Sequence, residues 1–187
     1  MNNQANQQQP TMINYAMNTG VVVGAYYIGK FCLFPLSLHF TMAALLFLGL
    51  TLVVPFLIYQ LVKRYRDSFC GGTIDFVRAF AFSMLTMAFG SLLAAAAHYV
   101  YFDFIDSGAM IGALQQSLSQ LQGLDVSALE GASAEAITQF NQYIEVMQQT
   151  VGQLQAMSPI DITMGMLSNN VSWSVILSLP IALIVKK

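Results

Sequence analysis

The chain has 187 residues, 56% of them hydrophobic and only 9% charged, with a mean hydropathy of +0.61 and a formal net charge of -2. Soluble domains carry about a quarter charged residues, so lipid is the solvent for most of this sequence and a separate water-soluble core is not expected. The acidic balance also argues against nucleic acid as a partner.

Residues 1–10 read MNNQANQQQP and carry no Lys or Arg. They lack the charged n-region of a signal peptide, so residues 1–12 are expected to be a disordered polar tail and the first hydrophobic run to stay uncleaved. A helix needs about 20 mostly apolar residues to cross the hydrocarbon. Four stretches meet this requirement, at 13–36, 40–62, 76–102 and 163–185. The predicted fold is an all-α integral membrane protein. It comprises a single four-span domain over 13–187, with an extracytoplasmic amphipathic helical hairpin over about 107–158 between the third and fourth spans.

The first span carries Ala16, Gly20 and Gly24 at intervals of four. This small-residue ridge contains a GxxxG and permits close approach of another helix, within the chain or in a second copy. The second span is Leu-rich, and Pro55 withholds the N–H that the Thr51 carbonyl would accept, which predicts a kink. Next comes the stretch 63–78, KRYRDSFCGGTIDFVR, which holds four of the seven basic residues (Lys63, Arg64, Arg66 and Arg78). By the positive-inside rule it is a cytoplasmic loop. With four spans both termini are then cytoplasmic, and six of the seven basic residues lie on that side. Cys32 and Cys70 fall on opposite sides of this topology, which excludes a disulfide between them. Within the stretch, Gly71 and Gly72 supply a turn with positive φ, and Asp75 is placed to N-cap the third span.

The third span has a second ridge, Ser83, Thr86, Gly90, Ala94 and Ala97, which is expected to pack on the first. Beyond it, Ile137, Phe140, Ile144, Met147, Val151 and Leu154 recur at alternating intervals of three and four. Ile111, Leu114, Leu118 and Leu121 repeat the pattern over a shorter segment, with a break over 123–132 and a candidate N-cap at Ser133. Two such stripes predict a hairpin whose apolar faces meet each other or the membrane surface, with pairing favoured. The polar face carries Gln in place of Lys and lacks the electrostatic anchor of an interfacial helix. In the fourth span Asn170, Ser174 and Ser178 share one face.

Tyr65-Arg66-Asp67, followed by Gly71-Gly72, Ile74, Phe76 and Ala79-Phe80, with Tyr101-Phe102-Asp103-Phe104-Ile105-Asp106 after the third span and the closing 181–187 stretch, resembles the bacterial membrane family called domain of unknown function 4199. The resemblance covers nearly the whole chain and implies four spans with an outer amphipathic segment. It implies a bacterial inner (cytoplasmic) membrane location and no established activity. A family tendency to lie beside a gene for a polyprenyl-phosphate glycosyltransferase implies envelope work. Members usually follow FID with proline, whereas Ser107-Gly108 stands here.

The candidate site residues are the ionisable and amide groups near the outer interface, since burying such groups in a bilayer is costly. Lys30, His98, Asp103, Asn169 and Asn170 are the candidates for an outward-facing polar pocket, with His39 and Asp106 nearby and Lys30 paired with Asp103. Against this, Lys30 shares a side with Tyr26, Tyr27 and Phe34, so snorkelling past an aromatic belt explains it. An interhelical hydrogen bond explains His98, and helix pairing explains the two asparagines. No cofactor or clustered metal-ligand pattern is present, and only Lys30, His98 and Asp103 offer acid–base groups to a shared cleft, so catalysis is not expected. The sequence favours a non-catalytic accessory or structural subunit of the cell envelope, with a membrane-protein partner or second copy docked on the hairpin or small-residue ridges. The alternative is an outward-facing binder or transporter of a lipid or small solute.

Overall fold

The computed structural model describes residues 11–38, 40–124 and 133–186, and the ordered elements among them are all helices. Most of the expected polar tail, His39 and most of the connection over 123–132 lie outside the described residues. Thr11 caps α1 (Met12–Phe31) by accepting the Asn14 N–H at 3.3 Å. The first span is not one unbroken helix. Pro35 has no N–H for the Phe31 carbonyl, so the chain breaks at Cys32 and restarts as the short α2 (Leu33–Ser37).

Helix α3 (Thr41–Phe69) runs two turns further than the second span was expected to reach. Lys63, Arg64 and Arg66 therefore lie on its last turns and not in a loop. Lys and Arg are good helix formers, and no breaker intervenes before Gly71 (φ 68°) and Gly72 (φ 90°), whose positive φ turns the chain. Asp75 then caps α4 (Phe76–Val100), its Oδ1 accepting the Arg78 N–H at 3.0 Å. The exit from α4 is a π-helical turn (Tyr101–Ile105), followed by left-handed Ser107 (φ 45°) and Gly108 (φ 83°). Proline, fixed near φ -65°, could not occupy the Ser107 position in this conformation.

Helix α5 (Ala109–Gln122) contacts α6 (Ala134–Ala156), and the half-buried face of α6 is the stripe Ile137, Phe140, Ile144, Met147 and Leu154, with Val151 buried. Ser133 caps α6 by accepting the Ala136 N–H at 3.1 Å. The last helix, α7 (Pro159–Val185), opens with a capping box in which Ser158 and Asp161 satisfy each other's backbone N–H, and with Pro159 in its first turn.

Helix α4 is the hub of the bundle, packed most extensively on α1 and α7 and less on α3. At the α1–α4 crossing the backbones nearly touch. A Cβ on Gly20 would stand 2.7 Å from Phe89 Cβ, and one on Gly90 would stand 2.9 Å from Val23 Cβ and 3.0 Å from the Gly24 nitrogen. The Thr19 and Thr86 hydroxyls share a hydrogen bond of 3.2 Å across the same crossing. On α7, Ser174 and Ser178 are fully buried and Asn170 half-buried. Helix α3 is the outlier. Its buried residues begin only at Val54, while Met42, Leu45, Leu46, Leu48, Leu52 and Val53 are exposed. The Tyr26 hydroxyl, donating to the Leu50 carbonyl at 2.6 Å, ties that half to α1.

Candidate ligand cavity and motif residues

Because the first half of α3 buries so little, space opens beside α7. A cavity of about 360 Å³ is lined by Tyr27 and Lys30 of α1, Thr51, Val54 and Pro55 of α3, Met87 of α4, and Asn169, Asn170, Trp173 and Leu177 of α7. A second, of about 310 Å³, is lined by Pro55, Phe56 and Tyr59 of α3 and Leu177, Pro180, Ile181 and Ile184 of α7. Each is within the range of roughly 300–1,000 Å³ usual for ligand pockets. Pro55 and Leu177 line both, so the two spaces adjoin along the α3–α7 seam. One end has a cation and two amides; the other is apolar apart from the Tyr59 phenol.

Of the five residues expected to share a polar pocket, the structure brings three together: Lys30, Asn169 and Asn170. The Lys30 ammonium stands 5.2 Å from the centre of the Phe47 ring and 5.7 Å from that of Tyr27. The other two lie elsewhere. His98 is buried against Phe31, ring centres 4.1 Å apart, and neither of its ring nitrogens has a hydrogen-bond partner among the described residues. The hydrogen bond expected to satisfy it is not made. Asp103 is exposed on the π turn, and the pairing of Lys30 with Asp103 is not formed; the ion pair among the described residues is Arg66–Asp67.

Asp106 is the carboxylate used at the α5 end of the bundle. It is buried, accepts the Tyr101 hydroxyl at 3.0 Å and the Met110 N–H at 3.1 Å, and so fixes the start of α5 against the π turn. Met110 in turn packs with Phe31 and Phe102 in a small second core. The carboxylate ending the Phe104-Ile105-Asp106 motif is therefore a structural anchor for α5.

The basic stretch is architectural in the same way. Tyr65 is fully buried, stacked on Phe82 at 4.0 Å and 8°, and its hydroxyl accepts the Arg78 Nε–H at 3.2 Å. Arg66 is bonded to Asp67 at 2.7 Å and donates from Nη1 to the Val185 carbonyl at 3.1 Å. Val185 is the last residue of α7, so a guanidinium occupies the negative end of that helix. The Gly72 N–H bonds the Arg66 carbonyl at 3.0 Å, closing the end of α3. Tyr65, Arg66, Asp67, Gly71, Gly72 and Asp75 thus lock α3, α4 and α7 at one end of the bundle. Lys30 and α5–α6 belong to the other end.

Four helical stretches long and apolar enough to cross a bilayer, Met12–Ser37 (α1 with α2), Thr41–Phe69, Phe76–Ile105 (α4 with the π turn) and Pro159–Val185, mark an all-helical membrane protein. The chain belongs to the family described as protein of unknown function (DUF4199), whose model matches residues 18–187. No curated protein and no solved structure matches it.

The sequence pointed to Lys30, Asn169 and Asn170, but not to Trp173, Leu177, Tyr59 or Pro180. A proline in each of two spans, Pro55 and Pro180, was the available signal, because a proline in a span bends it away from its neighbour.

Proposed function

We propose that this protein is a non-catalytic membrane protein that binds an amphiphilic lipid along the α3–α7 seam. It sits in a bacterial inner membrane with the α3–α4 turn and both termini cytoplasmic. What carries the reading is that two cavities adjoin along one helix seam, the first polar at Lys30 and the second apolar toward Ile184. A chain entering sideways from lipid needs no aqueous path. The orientation rests on the positive-inside rule, with Lys63, Arg64, Arg66, Arg78 and Lys186 on one side.

A second reading, an accessory subunit docking an envelope protein, is favoured by α6, where Tyr143 and Val146 are exposed outside the stripe that faces α5.

The test is native mass spectrometry of the full chain released from mild detergent. The wild type should retain lipid. Leu177→Trp, which fills the point shared by both cavities, should lose most of it. Leu183→Trp, exposed and outside the lining, should not. A wild type that carries no lipid overturns this reading, and a co-purifying protein in its place favours the second.

A further inference from the structure

Resting on the lipid-binding reading, we infer that the headgroup taken by this groove is anionic, of the phosphate type. Lys30 with the amides of Asn169 and Asn170 holds the head, and the apolar half from Pro55 to Ile184 holds the chain.

The first ground is an unbalanced charge. Lys30 is half-buried in the last turn of α1, and no Asp or Glu lines either cavity. Asp103, the carboxylate expected to pair with Lys30, lies exposed on the π turn and is not bonded to it. What the ammonium has are the faces of Phe47 and Tyr27. Attraction to two rings offsets only part of the cost of drawing an ammonium out of water. An anion in the cavity supplies the remainder.

The second ground is the donor set. Lys30 offers three N–H donors and no acceptor, and each asparagine amide offers two donors beside its one acceptor oxygen, which can turn away from an anion. Neither amide is hydrogen-bonded to a described residue. Trp173, half-exposed on the same wall, has an indole N–H that can only donate. A wall so rich in donors, with one positive charge, matches an oxygen-rich anion.

The third ground selects an amphiphile over a small anion. Phosphate alone would leave the half lined by Phe56, Tyr59, Pro180, Ile181 and Ile184 unoccupied, and a neutral lipid would leave Lys30 uncompensated. A lipid with an anionic head satisfies both ends at once.

The test offers the detergent-solubilised full chain an equimolar mixture of phosphatidylglycerol and phosphatidylcholine, and reads retained lipid by native mass spectrometry. The wild type should prefer phosphatidylglycerol by about tenfold, the equilibrium worth of one partly desolvated charge pair. Lys30→Met should abolish the preference, Lys30→Arg should keep it, and Lys63→Met, exposed at the opposite end, should leave it unchanged. Thermal unfolding of each variant shows that it is folded; should Lys30→Met not fold, Lys30→Gln takes its place. Equal retention of the two lipids by the wild type, both lost in Leu177→Trp, overturns the headgroup assignment while leaving the groove standing. Retention of neither lipid overturns both. A preference that survives Lys30→Met assigns it to ordinary annular contact with the basic end, and overturns the inference. Displacement of the lipid by millimolar inorganic phosphate overturns the amphiphile in favour of a small anion.

Discussion

Tyr65 is held by its ring far more than by its hydroxyl. The ring is fully buried between Phe82 and Phe69, with Tyr15 at 5.3 Å, whereas the hydroxyl meets Arg78, an exposed side chain. Removing the ring leaves a cavity among three aromatics, at a cost of about 3–5 kcal/mol. Removing the hydroxyl alone gives up one hydrogen bond to a solvated partner, about 0.5–1 kcal/mol. Unfolding of Tyr65→Ala and Tyr65→Phe in detergent should therefore separate widely, and equal loss in both would place the energy in the Arg78 contact instead. At this scale the sequence was partly legible. Asp75 and Ser133 announce themselves as caps because the residue types that cap helices are few. The position of Asp106 was not legible, because a buried carboxylate depends on the Tyr101 hydroxyl and Met110 N–H that the π turn brings to it.

The α1–α4 crossing is where elements carry the argument. Glycine lets two backbones approach, and here even one added carbon has nowhere to go: Gly24 would place it 2.9 Å from Leu93 Cβ, and Gly90 2.9 Å from Val23 Cβ. These neighbours are Cβ atoms fixed to helices and cannot swing aside. Gly24→Ala and Gly90→Ala should each destabilise by about 1–3 kcal/mol. Leu48→Ala, on the exposed half of α3, should cost within about 0.5 kcal/mol. Unfolding midpoints of the three variants in one detergent decide it, and a Gly90→Ala midpoint as high as that of Leu48→Ala would remove the close crossing. Both ridges were readable as small residues four apart. The ends of the helices were less so. Hydropathy stops the second span at residue 62, but the backbone continues to Phe69, since charge alone does not end a helix. The break at Cys32 is a consequence of Pro35 that apolar length conceals.

At the scale of the whole molecule, the four spans follow from hydropathy, whereas the groove does not. A groove is the space left where two helices diverge, and most of its lining is as apolar as a lipid-facing surface, so neither polarity nor period marks it. Pro55 and Pro180 hint at it only once α3 and α7 are known to be neighbours. The fold does tie two sequence ends together: Arg66 bonds Val185, so the α3–α4 turn and the end of α7 share one end of the bundle, with α5 and α6 at the other. Which end faces the cytoplasm is an electrostatic matter, decided by where Lys and Arg concentrate. The stretch from 79 to 185, which includes α5 and α6, carries no Lys or Arg and seven of the nine acids, and Lys30 is the one Lys or Arg placed at the α5–α6 end. Single cysteines at Gln142 and Ser68, both exposed, test this in a background lacking Cys32 and Cys70. In intact spheroplasts a membrane-impermeant thiol reagent should label the cysteine at 142 and spare the one at 68 until the membrane is opened. The opposite pattern would turn the protein over, putting the Lys30 end of the groove in the cytoplasmic leaflet and its apolar end in the outer one.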